Sequence, residues 1–581
     1  MRAVCAGLWG SLLLGASCGG GEAPKDPHLL HWRLQSLPRE GTPSVWREGL
    51  PLQAVLGRLR QASQDEAVRG LFLEVQPLGG QFARLSEIRA ALGAWRRRGK
   101  KVHCHFDQAD NGSYWLMAQV CDQLSMGPGG LLDFTGLALT SVYFGQLLER
   151  LAIDAEVIQV GRYKGAGDMF TRARMAPWVR RSLQGLVDEL QARVTLSTAR
   201  ARRRSGLAMR RIMDRGPLSA QVAKALGMVD AVHFADAARA LALRQAKVKR
   251  LRPMRAKSGE GAARLRQLWR GLRAQAPSGS RLLVAHVTGT LVDAGSSDGE
   301  RTAAEDFVAQ MRQARDDDEV RGVVLRIHSP GGSALASDRM WHAVYHLAKK
   351  KPVAVSIGDM AASGGYYVAS AGRRIFAHGA SILGSIGVVG GKVHLGRATD
   401  KLGIHMEMIE GHPHAGWSSP ARPLSDVEHT QLTRLFRGAY ARFLHRIARG
   451  RDLTRAQIRP LAAGRLFTGV RAKKGGLVDA LGGLDAALAW TRKAAKAPDD
   501  VTLVHWPAPK APWHALRGWL SAEAPPHKGL RWPAGAQLPA TVASRHHLSS
   551  DDLRWLAALY GWLSRPQLEA LHVLPWHLAI R

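Results

Sequence analysis

The chain alternates short apolar runs with longer stretches in which apolar residues recur every three or four positions. "GVVLRI" (322–327) and "PVAVSI" (352–357) are nearly unbroken apolar runs, the pattern of strands buried on both faces of a parallel sheet. Between them, "ALASDRMWHAVYHLAKK" (334–350) has helical spacing and ends in lysines, which suit the negative end of a helix dipole. That order predicts βαβ units, whose active groups gather at the carboxyl ends of the strands. "SPGG" (329–332) follows the first strand and Ser363, in "GDMAASGGYYVAS" (358–370), follows the second, so both fall on one edge of the sheet.

The pattern occurs twice. "VRGLFLEVQPLGG" (68–80) matches "VRGVVLRIHSPGG" (320–332) without a gap, and "KKVHCHF" (100–106) pairs with "KPVAVSI" (351–357). "LAIDAEVIQVG" (151–161) pairs with "LGIHMEMIEG" (402–411) once one residue is gapped, and "LSAQVAKALGMVDAV" (218–232) echoes "FTGVRAKKGGLVDAL" (467–481). Two copies of one domain account for these matches. The division expected is a leader and spacer over 1–26, a first copy over 27–240, a basic linker over 241–280, a second copy over 281–495, and an extension of unassigned role over 496–581. In that extension Leu553, Leu556, Tyr560 and Leu563 share a helical face, read as a helix packed on the body in preference to a Trp-rich membrane contact.

Composition narrows the setting. A chain of 581 residues exceeds one ordinary core, which agrees with two domains and appendages. Its net charge of +35 favours an anionic environment such as a phospholipid surface. The basic residues are dispersed and lack a helix-turn-helix, zinc-finger or stacking-platform signature, so no nucleic-acid partner is expected. "MRAVCAGLWGSLLLGASCGGGEAPKD" reads as a secretory leader, and Cys18 after "GAS" resembles a lipoprotein cleavage site. Cys104 and Cys121 remain, too few for a disulfide framework, and "HCH" at 103–105 alternates as a buried strand does, so no metal site is expected there. No later run approaches the ~20 apolar residues of a spanning helix. The expected body is soluble, exported and anchored at most through its start.

The repeat also sorts the candidate chemistry. Ser363 sits among small residues at a strand-to-helix corner, where a backbone N–H can face a developing oxyanion. Its counterpart in the first copy is Gly112, with Ser113 one place away. Lys164, in "VGRYKGAGDMF" (160–170), has His414 as its counterpart in "EGHPHAGWSSP" (410–420), and no lysine occurs between Lys401 and Lys473. One copy keeps the serine and the other the lysine, the outcome expected when a site shared between neighbouring subunits is fused into one chain and each half decays once. A Ser–Lys dyad needs a neutral amine, which burial supplies by lowering a lysine from ~10.4 by several units. His378 and His414 offer the rival histidine-based mechanism.

Together "SPGGSALAS", "DMAASGGYYVAS", "GSIGVVGG", "VGRYKGAGDMF" and "GRLFTGVRAKKGGLVDALGGLDAAL" resemble the protease IV (signal peptide peptidase A) family in its long, duplicated form, over roughly residues 50 to 490. The resemblance implies an α/β fold, a tandem duplication of a crotonase/Clp-protease-like βαβ domain, without metal or cofactor. It implies Ser363 as nucleophile, Lys164 as general base, Ser385 of "GSIG" as the hydroxyl that orients the lysine, and Gly332 and Gly364 as oxyanion amides. It further implies a homo-oligomer that cleaves signal peptides and other unfolded apolar peptides at a membrane surface facing the periplasm or cell exterior. "GAGDM" after Lys164 and "AHGAS" before "ILGSIG" depart from the family pattern without removing a catalytic group. The alternative is an inactive scaffold or peptide-binding protein on the same fold, since both copies show decay; an acyl-CoA enzyme is disfavoured by export.

Overall fold

The computed structural model describes residues 26–42, 50–254, 279–498 and 500–507. The leader with Cys18, residues 255–278 of the linker and the extension from residue 508 lie outside the described residues.

The first copy is built on β1 (His28–Leu34), β2 (Val68–Val75), β3 (Lys101–Ala109) and β4 (Gln123–Leu132), parallel and in the order β4-β3-β2-β1. Strand β5 (Asp154–Val160) leaves this sheet, while the short β6 (Leu218–Ser219) and β7 (Ala231–Val232) both pair with β4 and β8 (Arg250–Pro253) pairs with β1. The second copy repeats the plan with β9 (Arg281–Val292), β10 (Arg301–Ala303), β11 (Val320–Gly332), β12 (Val353–Ala362) and β13 (Arg374–Ala377), in the order β10-β9-β11-β12-β13. It continues through β14 (Ile382–Gly384), β15 (Val388–His394), β16 (Leu466–Thr468), β17 (Ala480–Leu481) and β18 (Thr502–Trp506). β8 carries the first sheet past residue 240 and β18 carries the second past residue 495, so both sheets run beyond the expected boundaries.

The apolar runs form the centres of these sheets because each strand is covered on both faces. Val323, Leu325 and Ile327 of β11 face a core shared with Met340, Val344 and Leu347 of the helix Ala334–Lys350, which spans the predicted stretch. Val324 on the other face packs with Leu484 and Ala487 of the helix Leu484–Ala494. Strands β11 and β12 run on past the apolar runs, to Gly332 and Ala362. Cys104 in β3 is buried as expected, and it is joined by a disulfide to Cys121 at the end of the helix Asn111–Val120, a pairing not anticipated from the sequence.

Contacts of three kinds, strand pairing, apolar packing and ion pairing, are among those that join the copies. β5 of the first copy pairs antiparallel with β15 of the second from Asp154–His394 to Val160–Val388. Leu186 and Leu190 of the helix Pro177–Ala201 bury against Ile382 and Leu466. The third contact is ionic: the fully buried Arg326 of β11 donates to Glu40 at 2.5 and 3.0 Å, to Glu87 at 2.6 Å and to Ser356 at 2.9 Å. Burial pushes the Glu87 carboxyl up, but the Arg326 charge and the His378 ring outweigh it and hold the carboxyl far below the usual range.

Candidate active site

β12 ends at Ala362 and the helix Gly364–Ala369 begins two residues later, so Ser363 makes the whole corner, with φ 52° and ψ −120°. A serine held at positive φ is uncommon and costs of order 1–3 kcal/mol, a strain that concentrates at functional sites. The corner is pinned by two backbone bonds: Ser363 N–H donates to the Gly384 carbonyl at 2.8 Å and Tyr367 N–H to the Ser363 carbonyl at 2.9 Å. Ser363 is half-buried and faces a cavity lined by Gly332, Ser337, Gly364, Val389 and Lys164. Gly364 opens its helix, where an N–H has no acceptor within the helix. A Cβ added to Gly364 would stand 3.2 Å from the Gly332 nitrogen and 2.4 Å from the Ser337 hydroxyl, so Gly332 and Gly364 crowd together at the serine.

Lys164 arrives from the other copy. After β5 the chain turns at Gly161, whose carbonyl accepts the Lys164 N–H at 3.0 Å, while Tyr163 N–H donates to the Ala463 carbonyl at 2.7 Å. The turn rests directly on Gly464, at φ +87°, where a Cβ would come within 2.3 Å of the Lys164 nitrogen. Arg465 donates to the Tyr163 hydroxyl at 2.9 Å and lies over its ring. The Lys164 side chain is 4% exposed, and its Nζ donates to both the carbonyl and the hydroxyl of Ser385 at 2.9 Å. Ser385 itself sits at φ 53°, with its N–H bonded to the Arg465 carbonyl at 2.6 Å. Burial lowers the Lys164 pKa to about 7. Lys164 lines a second cavity as well, with an apolar wall of Val179, Leu183, Met360, Ala362 and Leu466.

The five residues singled out from the sequence thus converge on this one region, although Ser363 and Lys164 are 199 positions apart in the chain by their numbers. The histidines do not join them. His378 bonds to Glu87 at 3.2 Å in the ionic contact between copies, and His414 faces Glu428 at 3.4 Å; neither lines either cavity. In the first copy the corresponding place is closed: Asp110 accepts from Gly79 N–H at 2.6 Å and from Ser113 N–H at 2.8 Å, and Ser113 is fully buried as part of a helix capping box. A Cβ on Gly112 would meet the Gly79 carbonyl at 1.9 Å, leaving no room for the side chain that Ser363 carries at the equivalent point. The reading from sequence missed Gly464, Tyr163 and Arg465, which hold the lysine turn. All three lie inside the quoted motifs, Tyr163 in "VGRYKGAGDMF" and Gly464 and Arg465 in "GRLFTG", but nothing in the motifs themselves says that the two segments touch.

Such an arrangement places a hydroxyl, a buried amine titrating near neutrality and two crowded glycine amides around one cavity, on parallel α/β sheets. The fold and the relatives define a serine peptidase with a Clp-protease-like architecture: the Clp protease family matches residues 293–391. Peptidase family S49 matches residues 94–249 and 346–498, one stretch in each copy, and the chain belongs to that family. It is 30% identical over 452 residues to Protease 4 of Haemophilus influenzae, covering 75% of this chain and 71% of that protein. Protease 4 of Salmonella typhi is 29% identical over 500 residues, covering 84% of this chain and 78% of the relative. Serine protease SPPA, chloroplastic, of Arabidopsis thaliana is 28% identical over 476 residues, or 80% of this chain and 69% of that one. Among the described residues no helix is long and apolar enough to cross a membrane.

Proposed function

We propose that this peptidase works through a Ser–Lys dyad shared between its two copies and that it degrades signal peptides and other unfolded apolar peptides at a membrane surface. The observation that carries the reading is Lys164: a buried amine whose pKa is brought to about 7 by burial, supplied by one copy to the cavity that holds the strained Ser363 of the other.

Neutral Lys164 accepts the Ser363 hydroxyl proton as the oxygen attacks the peptide carbonyl. The carbonyl oxygen becomes an oxyanion facing the Gly332 and Gly364 amides. The lysine ammonium then gives its proton to the leaving amine, and a water activated by the same amine hydrolyses the acyl-enzyme. Ser385 keeps Nζ aimed through its hydroxyl and carbonyl. The second cavity, with its apolar wall beside Lys164, takes a small or apolar side chain of the substrate.

The test is labelling with a fluorophosphonate, followed by mapping of the modified residue. Modification at Ser363 that disappears in Lys164→Ala is the expected result. Labelling elsewhere, or none with the parent chain, would favour the inactive peptide-binding alternative.

A further inference from the structure

Strand β18 lies along one edge of β9, with Thr502–Trp506 paired in parallel with Arg281–Ala285. Its side chains divide between the two faces of the sheet. Val504 and Trp506 pack on the main core of the second copy, where the Trp506 ring meets Phe307 edge-on at 5.7 Å. His505 meets His286 of β9 instead: Nδ1 of His505 lies 3.0 Å from Nε2 of His286, and the two rings stack with centroids 5.3 Å apart. His286 is 1% exposed, and its other nitrogen, Nδ1, is buried without a hydrogen-bond partner among the described residues.

The charged groups around the pair are already engaged. Arg326 of β11 stands level with His286 in the register, and its guanidinium is held by Glu40 and Glu87 of the first copy. His328, two residues further along β11, lies 4.0 Å from Asp359, whose carboxylate Arg84 occupies. In the helix Leu484–Ala494, which covers this face, the one carboxylate is the exposed Asp485, paired with Arg60 at 2.6 Å. The basic residues of that helix, Arg492 and Lys493, stand at its other end, next to Thr491 over Gly322. No acceptor is left to take a proton placed on His286.

Two neutral rings are satisfied by one hydrogen between Nε2 and Nδ1. A further proton has no good place. On His286 it makes an N–H at Nδ1 that meets no acceptor. On His505 it sets two N–H groups against each other, unless His286 moves its own hydrogen to Nδ1, with the same result. Burial acts in the same direction: it lowers the pKa of both rings, that of His286 to about 3 with the neighbouring His505 and Arg326 adding to the effect. The first copy makes the matching junction without histidines. There β8 pairs with β1, Arg33 stands at the register position of His286, and Pro253 stands at that of His505.

From this buried pair we infer that β18 is an acid-sensitive latch, paired with β9 at neutral pH and released in mild acid together with the point at which residues 508–581 are attached. Neither histidine lines either cavity of the site, so the inference stands apart from the peptidase mechanism. Once β18 opens, His505 enters water and His286 loses the strand that covers it, so both rings return toward the ordinary value of ~6.5. The open form then binds as many as two protons more than the closed form. The stability of the closed strand is therefore complete above ~6.5 and falls as pH falls below it.

Hydrogen exchange of the full chain between pH 7 and pH 5, read by mass spectrometry and corrected for the intrinsic pH dependence of exchange, tests the inference. The opening constant of β18 is expected to rise by up to about 100-fold for each pH unit below ~6.5, tenfold for each proton taken up, while β11 and β12 stay protected. His505→Gln keeps a hydrogen-bonding group opposite His286 and is expected to reduce the rise to about tenfold or less per unit. The double variant His286→Gln with His505→Gln is expected to abolish it; if that variant leaves β18 open even at pH 7, the smaller slope of His505→Gln alone decides. Equal protection of β18 at pH 7 and pH 5 in the parent chain, or a slope unchanged in His505→Gln, would overturn the inference. Loss of protection over β11 and β12 in step with β18 would also overturn it, in favour of acid unfolding of the whole second copy.

Discussion

At the residue scale, Lys164 governs what can be measured. Removing the proposed nucleophile by Ser363→Ala or the proposed base by Lys164→Ala is expected to abolish peptide hydrolysis with the fold intact, checked by turnover of an unstructured peptide and by circular dichroism. Ser113→Ala should leave turnover unchanged and cost about 1 kcal/mol of stability, because Ser113 closes a capping box and does not line the site. The base must be neutral, so kcat/KM is expected to rise with pH through about 7, the value to which burial lowers Lys164. The same burial makes a stability statement. Between about 7 and the unfolded lysine value of ~10.4 the unfolded chain binds one proton more than the folded chain, so this group makes stability rise with pH across that window. Lys164→Met is expected to be inactive yet at least as stable as the parent at pH 7, and thermal melts across the window should show that this contribution to the slope has gone.

At the element scale, the site depends on a turn from one copy held by a loop of the other. Gly464→Ala would force a Cβ into the backbone of Lys164 at a position that already has φ +87°. The expected outcome is a fall in kcat of at least tenfold with the Ser363 corner undisturbed, which peptide kinetics and crystallography of the variant would check. The ionic contact at Arg326 serves the same alignment by fixing β11 to Glu40 and Glu87 of the first copy. Arg326→Ala leaves the buried Glu40 carboxylate without this cation and Glu87 with only the His378 ring, and is expected to cost about 3–5 kcal/mol in urea unfolding.

At the scale of the whole molecule, the net charge of +35 is expected to act through long-range attraction to anionic surfaces. Binding to vesicles containing anionic lipid is expected to weaken steeply as salt rises from ~0.1 M to ~1 M, where the screening length falls from ~10 Å to ~3 Å. Sedimentation of vesicles with bound protein measures this, and binding indifferent to salt would rule out a charge-driven placement. Because the site lies in a cavity between two copies, unfolded apolar peptides are expected to be cleaved and tightly folded proteins spared, as digestion of a peptide and its folded parent side by side would show.

The sequence by itself determined the local order. Apolar runs this short and this rich in β-branched residues read as strands covered on both faces, so β11 and β12 were legible, and "ALASDRMWHAVYHLAKK" carried its helix in its spacing. The duplication was legible because it repeats in sequence, and the opposite losses at Gly112 and His414 singled out Ser363 and Lys164 before any geometry was known. Tertiary structure alone decided what those residues experience. The Lys164 pKa depends on a burial created by Gly464, Gly387 and Ser385, which are more than 200 residues away in the chain. The Cys104–Cys121 disulfide depends on the packing of a helix against β3, and the pairing of Arg326 with Glu40 and Glu87 on the docking of one sheet against the other. Burial and proximity are properties of the folded chain, because side-chain periodicity reports which face of an element is covered and carries no record of which distant segment covers it.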